Sequence, residues 1–501
     1  MSRGALALAF VFFAFGCAVD HSGLGPGMDV GPQPDVPGFD AGPGVDSGPG
    51  VDSGPGVDSG PGVDSGPTLD VGPDVDSGPR FDSGPGDTCE FTSRCTPDGT
   101  ALEQCAEGVT RSQICDARCV PGPARCQDLA PTNELGGFFL DGASAVDVVS
   151  AWPAPYNPPE GDFASLMRWN TDRCDMPGSQ PIHQVTDGPE LCVVAASTFR
   201  LRGMLVVEGS RGLAIVATDT IIIEADAAIR ADARGGPAGP GGGDGATSST
   251  FGQGYYPGGD GTNDSFEDGG GGGGGNALAG GAGGRGDRAN GGGAGGSALG
   301  SDMLEPAHGG SGGGEGGRGG SAGAGGGGGG LVILVARGDI TVRGYIDVTG
   351  SGGSAGRGSG NWGAGGGGGS GGSLLLESGG SVQFPGGIVL AGGAGGGGAA
   401  GCSESGANGI PASPDDPVAA GGNGYDDCDG TNGGDGGDGG LFIPGENGEN
   451  QTADGGGTGG NGGGGGGGAG LIVIRASVFD GYPYGDSGVY RDAEPSFRDA
   501  D

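Results

Sequence analysis

Seven consecutive glycines, 462–468, run almost directly into Leu471, Ile472, Val473 and Ile474. Glycine has no side chain to bury and loses more backbone freedom on ordering than any other residue, whereas β-branched and other bulky apolar side chains suit strands. The juxtaposition recurs: 135 of the 501 residues are glycine and 34 are proline. A chain this long ordinarily divides into two to four domains, but this much glycine and proline leaves a far smaller part able to build a side-chain core. That core has to come from the short apolar segments between the glycine runs.

Three of those segments share one pattern: "GLAIVATDTIIIEADAAIRADARGG" from Gly212, "GLVILVARGDITVRGYIDVTGSGG" from Gly330 and "GSLLLESGGSVQFPGGIVLAGGAGG" from Gly372. The last two align without a gap at an offset of 42, so that Leu334 meets Leu376, Ile340 meets Val382, Val342 meets Phe384, Ile346 meets Ile388 and Val348 meets Leu390. Each unit has one almost wholly apolar strand, then two short alternating strands, then glycine. Repeats of this kind cannot bury their own faces and do so by stacking. The expected fold is therefore mostly β, a parallel β-solenoid over 212–479, with Leu471–Ile474 opening a fourth, incomplete unit. A β-rich lead-in occupies 132–211 and a polar tail 480–501. The glycine runs 235–329, 350–371 and 392–468 are excursions between units. They can stay solvated, or pack as polyglycine II helices that approach closely and hydrogen-bond to one another, and the sequence leaves both open. Glycine-rich cell-surface proteins, among them the polymorphic glycine-rich repeat proteins and the glycine-rich tips of phage adhesins, resemble this chain in composition.

Charge and the N-terminus indicate a destination. There are 62 acidic residues against 22 basic ones, every one of the latter Arg, for a net charge of −40. Nucleic acid and anionic membrane surfaces are disfavoured as partners, while divalent cations and extracellular surroundings are compatible. Arg3 followed by the apolar run Gly4–Phe15 reads as a signal peptide over 1–16, too short to span a bilayer as a mature helix. The order Ala14, Phe15, Gly16, Cys17 resembles the lipobox of bacterial lipoproteins, departing from it where the family usually has Leu at the position of Ala14 and a smaller residue than Phe15. The resemblance implies that the Cys17 thiol is lipidated and anchors the mature chain. Ala18 behind it implies transfer to the outer membrane, with the protein surface-exposed or facing the periplasm. Without lipidation the chain is an ordinary secreted protein.

Residues 17–87 are read as a disordered tether, with a hexapeptide period that returns Asp46, Asp52, Asp58, Asp64, Asp70, Asp76 and Asp82 in register. Proline and glycine break helix and strand, the carboxylates repel, and glycine does not fall at every third position as collagen requires. About sixty such residues span roughly 45 Å as a coil and roughly 190 Å extended. Six cysteines follow within 88–127: Cys89, Cys95, Cys105, Cys115, Cys119 and Cys126. In an exported chain they indicate three disulfides that staple a module too small to hold itself by burial, with fifteen connectivities open. Cys174 with Cys192 and Cys402 with Cys428 are read as further pairs. The stretch "CTPDGTALEQCAEGVTRSQICDARCVPGPARC" is similar to a small Cys-rich module of large bacterial surface lipoproteins.

Composition this biased generates motifs by chance. "GGSGG" from Gly309 and "GDSG" from Gly485 match hydrolase patterns without the strand–turn–helix or the flanking residues those need. His21, His183 and His308 are the only imidazoles and stand without an evident triad partner, and Arg285-Gly286-Asp287 is an isolated tripeptide. No catalytic residue is assigned, and the chain is read as no enzyme. Calcium is the one cofactor considered, through Asp426, Asp427 and Asp429 in "GGNGYDDCDG" and Asp260 and Asp264 in "GGDGTNDSFEDGG", although the motif that holds calcium works in tandem copies. The expected function is structural, adhesive or glycan-binding at the cell surface, with a glycan or protein as ligand. The alternatives are a calcium-dependent adhesin and an extracellular carbohydrate-active enzyme of solenoid type, for which Arg337, Arg343, Asp347 and Glu377 are the nearest candidates.

Overall fold

The computed structural model describes Cys89 and residues 91–499, except 107, 116–117, 141–142, 150–166, 185–187, 234–236, 264–267, 287–290, 301–303, 318–320, 359–362, 400–403, 414–417, 426–431, 442, 452–459, 482–487 and 494–496. All of them belong to one compact unit, Asp82–Asp501. Among the described residues the architecture is mostly β, and the one helical element is the single 3-10 turn Leu135–Phe138.

The apolar segments pair parallel and in register. Leu191 lies beside Gly212, Leu213 beside Val332, Leu331 beside Ser373 and Ser373 beside Leu471, although these partners are 21, 119, 42 and 98 residues apart in the chain. The chain thus leaves and re-enters the sheet at the same register whatever the length of the excursion. The gapless alignment of the second and third units is a spatial one: Leu334 is paired with Leu376, Ile340 with Val382 and Ile346 with Ile388. The same sheets continue N-terminal to Gly212, through the strands Leu191–Ala196, Phe199–Arg202 and Met204–Glu208. At the other end Gly470–Asp480 runs beside Ser373–Gln383 with one register shift between Ser378 and Ser381, and Gly488–Ala493, within the segment read as a polar tail, adds a further parallel strand beside Gly470–Arg475, so the apolar run is not the last strand of the sheet.

The result is a curled, parallel-rich sheet of 11 strands facing a second sheet of five, ordered Gly387–Val389, Tyr345–Asp347, Ala228–Arg230, Met204–Glu208 and Met167–Asn170. Side chains alternate across a strand, which divides the apolar residues into two cores. Val194, Ile215, Leu334, Leu376 and Ile474 point into the curl, where they meet Leu205, Ile229, Ile346 and Ile388 from the second sheet. Leu191, Ala214, Ile333, Leu375, Leu471 and Val473 face the other way, against Leu129, Leu135 and Phe139 and against Ala277, Leu299 and Leu304 of the first glycine excursion. The wholly apolar reading of these strands follows, since both faces are covered.

The described parts of the glycine excursions are packed, with a three-residue period. In the extended segment 363–371, the N–H groups of Gly365, Gly368 and Gly371 donate to the carbonyls of Gly462, Gly465 and Gly468; those of Gly366 and Gly369 donate to Ser354 and Ser351; those of Gly367 and Ser370 donate to Gly314 and Ser311. The same segment accepts from Gly271 and Gly274, from Gly323, Gly326 and Gly329, and from Gly396 and Gly393. It therefore has three donor-side and three acceptor-side neighbours, drawn from all three excursions. A backbone with three residues per turn turns each successive amide to a different side, so that extended segments without side chains satisfy their main-chain groups on one another. Glycine is obligatory inside: a Cβ on Gly368 would lie 2.0 Å from the Gly393 carbonyl oxygen. At the margins, where a neighbouring segment is missing, Asx side chains supply the carbonyl. Asp435 and Asp438 accept from the N–H groups of Gly424 and Gly421, and Asn447 and Asn450 from those of Ala282 and Arg285, again three residues apart.

The cysteine module is closed by Cys89–Cys105, Cys95–Cys119 and Cys115–Cys126, which selects one of the fifteen connectivities. Its strands Ser93–Cys95, Ala101–Ala106 and Val109–Ile114 are antiparallel, and its Arg118–Val120/Arg125–Leu129 pair extends to Phe497–Asp499 near the C-terminus. Cys174–Cys192 staples the lead-in to the first strand of the curl. Cys17, the tether over 17–87, Cys402 and Cys428 lie outside the described residues.

Candidate functional site

Two adjoining clefts open where the glycine segments leave the sheets, and they share Gln253. The larger, about 610 Å³, has a floor of Gly245, Gly325, Gly352, Gly353 and Gly409 and carries polar side chains around it. The smaller, about 420 Å³, runs over Gly241–Gly243, Gly309 and Gly310 to Tyr255, His308 and Pro189. Both volumes are those of small-molecule sites.

The local structure fixes what each side chain offers. Asn408 Oδ1 accepts from Ala355 N at 2.8 Å, which orients the amide and leaves Nδ2 as its donor. Asp244 Oδ1 accepts from Ala238 N at 2.9 Å, while the Asp244 carbonyl accepts from Gln253 N at 2.8 Å and holds that residue at the junction. Thr247 and Thr250 exchange two backbone hydrogen bonds and bring their hydroxyls to 2.8 Å. Gln253 and Ser354 are exposed. In the smaller cleft the Tyr255 ring stacks on His308 at 4.2 Å between centroids. His308 Nδ1 donates to the Gly309 carbonyl at 3.0 Å, and its neighbour Ala307 is bonded through Gln184 to Pro189. Of the lining residues only Asp244, Tyr255 and His308 are ionisable.

The charged residues considered for catalysis are each committed to a different partner at separate places. Arg337 makes a two-pronged pair with Asp128, with 3.0 and 2.9 Å contacts, and lies over the Phe139 ring. Arg343 pairs with Glu224. Glu377, buried, accepts from Thr132 N and Oγ1 and from Arg475, which also reaches Glu305; burial pushes the Glu377 carboxyl above its ordinary range, with the Arg475 charge opposing. Asp347 accepts from Thr349 N and Oγ1 and faces Arg230, which also meets Asp232. Burial and the neighbouring Asp347 charge push Asp232 up to about 8, and burial raises Asp347 as well. These groups fasten the 128–139 segment and the first excursion to the larger sheet and tie neighbouring strands within each sheet.

Of the calcium candidates, Asp260 is described, and its Oδ1 accepts from Glu315 N at 3.0 Å. Burial and the Asp260 charge raise the Glu315 carboxyl. Asp264, Asp426, Asp427 and Asp429 lie outside the described residues, and among those described no three His, Cys, Asp or Glu side chains are grouped to hold a metal ion. Ser311 of "GGSGG" sits inside a packed glycine segment, its hydroxyl accepting from Tyr256 N, with no elbow around it. No described helix is long and apolar enough to cross a membrane.

Apart from His308, which stands in the sequence only as an imidazole without a triad partner, the cleft residues escaped the sequence reading because they are isolated polar and aromatic positions among glycines. The available signal is "FGQGYY" from Phe251, an aromatic cluster where composition predicts none. No protein-family model matches the chain, and no curated protein and no solved structure is similar to it.

Proposed function

We propose that this chain is an exported surface protein, anchored through lipid on Cys17 and carried outward on the tether, whose folded part is a rigid display and adhesion platform. On this reading the register-matched strands are rungs of a β-solenoid and the glycine excursions are polyglycine II helices bundled on its side. The observation that carries the reading is covalent: four disulfides close among the described residues, and disulfides persist in oxidising compartments outside the cytosol. The rigidity follows from the glycine lattice, in which main-chain hydrogen bonds do the work that side-chain packing does elsewhere. The charge of −40 keeps such a surface soluble and spaced from anionic neighbours.

The test is Cys17→Ser in the expressing cell, with labelled palmitate and protease shaving of intact cells. Acylated wild-type chain cleaved from outside, against unprocessed and unlabelled variant, is the expected result. Membrane-bound chain that never takes up the label, or chain that external protease cannot reach, overturns it.

A further inference from the structure

We propose that the two clefts joined at Gln253 form one binding trough for a neutral oligosaccharide, an inference that rests on the surface reading and names its ligand class. The trough demands an extended ligand, because Gln253 lines both clefts and Asp244 of one lies next to Gly243 of the other along the chain. It demands a hydroxyl-rich one. The larger cleft presents an oriented amide donor at Asn408, a second amide at Gln253, hydroxyls at Ser354, Thr247 and Thr250, and the second oxygen of Asp244. Amides and hydroxyls both donate and accept, which is what vicinal sugar hydroxyls require and a hydrocarbon cannot use.

The ligand also has flat aliphatic faces. Tyr255, stacked on His308 with the ring planes 23° apart, offers an aromatic face at one end, and Pro189, Pro237 and Pro411 contribute apolar walls. Between them the glycine floor has no side chains to hold a ring away from the main chain. Neutrality follows from charge. No arginine lines either cleft, the acidic residue Asp244 does, and the chain carries −40, so uronate or sulfated polymers are repelled.

The experiment titrates the full chain with cellohexaose, maltohexaose, mannohexaose and polygalacturonate by calorimetry, beside Gln253→Ala, Asn408→Ala, Tyr255→Ala and Tyr255→Phe. Gln253 is exposed and its side chain makes no hydrogen bond among the described residues, so its variant should keep the wild-type unfolding midpoint. At least one neutral hexasaccharide binds, and Gln253→Ala and Asn408→Ala each weaken it about tenfold, the value of one lost hydrogen bond in a site. Tyr255→Ala weakens it similarly while Tyr255→Phe, which keeps the ring, does not. The proposal is overturned if none of the neutral probes binds, if polygalacturonate binds as tightly as they do, or if Gln253→Ala binds like wild type. Failure here together with acylated, externally cleavable chain removes the trough and leaves the surface reading; sugar binding by a chain that is never exposed does the reverse.

Discussion

Gly465→Ala adds one methyl group to the middle of the seven-glycine run and tests whether the glycine segments are a packed solid. An ideal Cβ at that position would lie 2.2 Å from the Gly281 carbonyl oxygen, 2.6 Å from its carbon and 2.8 Å from the oxygen of Ala282. All three are backbone atoms, so no rotamer change relieves the contact, and the two segments must separate by roughly 1 Å to reach an ordinary van der Waals distance. The separation stretches the bonds that tie them, Gly281 N to Gly466 O at 2.8 Å and Gly284 N to Gly463 O at 2.7 Å, and strains Gly465 N to Gly271 O at 2.8 Å. Three hydrogen bonds at about 1 kcal/mol each agree with the usual cost of overpacking, about 1–3 kcal/mol, so we expect a loss of about 3 kcal/mol. At about 2.1 cal/mol/K per residue of unfolding entropy, a body of roughly 350 ordered residues shifts its midpoint by about 4 °C. The control is Gly291→Ala, where a Cβ meets nothing within 4 Å and the backbone is not left-handed. That variant should be neutral or slightly stabilising, since alanine restricts the unfolded chain. Differential scanning calorimetry of both decides the matter: equal midpoints for the two variants would refute the packed lattice.

Three further outcomes follow from the same structure. Ile474→Asp places an unpaired charge in the curl, where Ile474 is fully buried, and should cost at least about 4 kcal/mol in chemical denaturation; Val478→Asp, on the same strand but 59% exposed, should cost less than about 0.5 kcal/mol. Asp232 has its folded pKa pushed from 3.8 to about 8, so the native state holds the proton more tightly; its contribution is complete below about pH 4 and is lost as pH rises through 8, and Asp232→Asn should remove that downward slope from the stability profile, whereas an unchanged slope contradicts the assignment. Asp172, lowered by the N–H and hydroxyl of Ser210, acts with the opposite sign and loses its contribution on acidification. Reductant should expose residues 91–126 to limited proteolysis while the curl stays intact, because three disulfides rather than a large core hold that module; a module resistant after reduction counts against this.

Periodicity by itself placed the strands of the repeated units from Gly212 and their stacking order, but not the strands before Gly212 or Gly488–Ala493 that continue the same sheets. The offset that aligns Leu334 with Leu376 and Ile346 with Ile388 is the spatial register, because units that share one buried face must repeat its pattern position by position. The cysteine count likewise determined that the N-terminal module is stapled, but pairing depends on which thiols the hairpins bring within reach, and only the folded chain shows Cys95 beside Cys119. The glycine runs were the least legible part. Glycine carries no pattern that says which neighbour it will meet, and its backbone entropy favours a loose chain unless neighbouring segments offset the cost of ordering it. Tertiary structure decided between them by returning all three excursions to the same place, where Gly271, Gly365 and Gly462 belong to different runs and yet lie side by side, each with its amide paired. The clefts exist for the same reason: Gln253 and Asn408 are 155 positions apart, and only the lattice between them puts both on one wall.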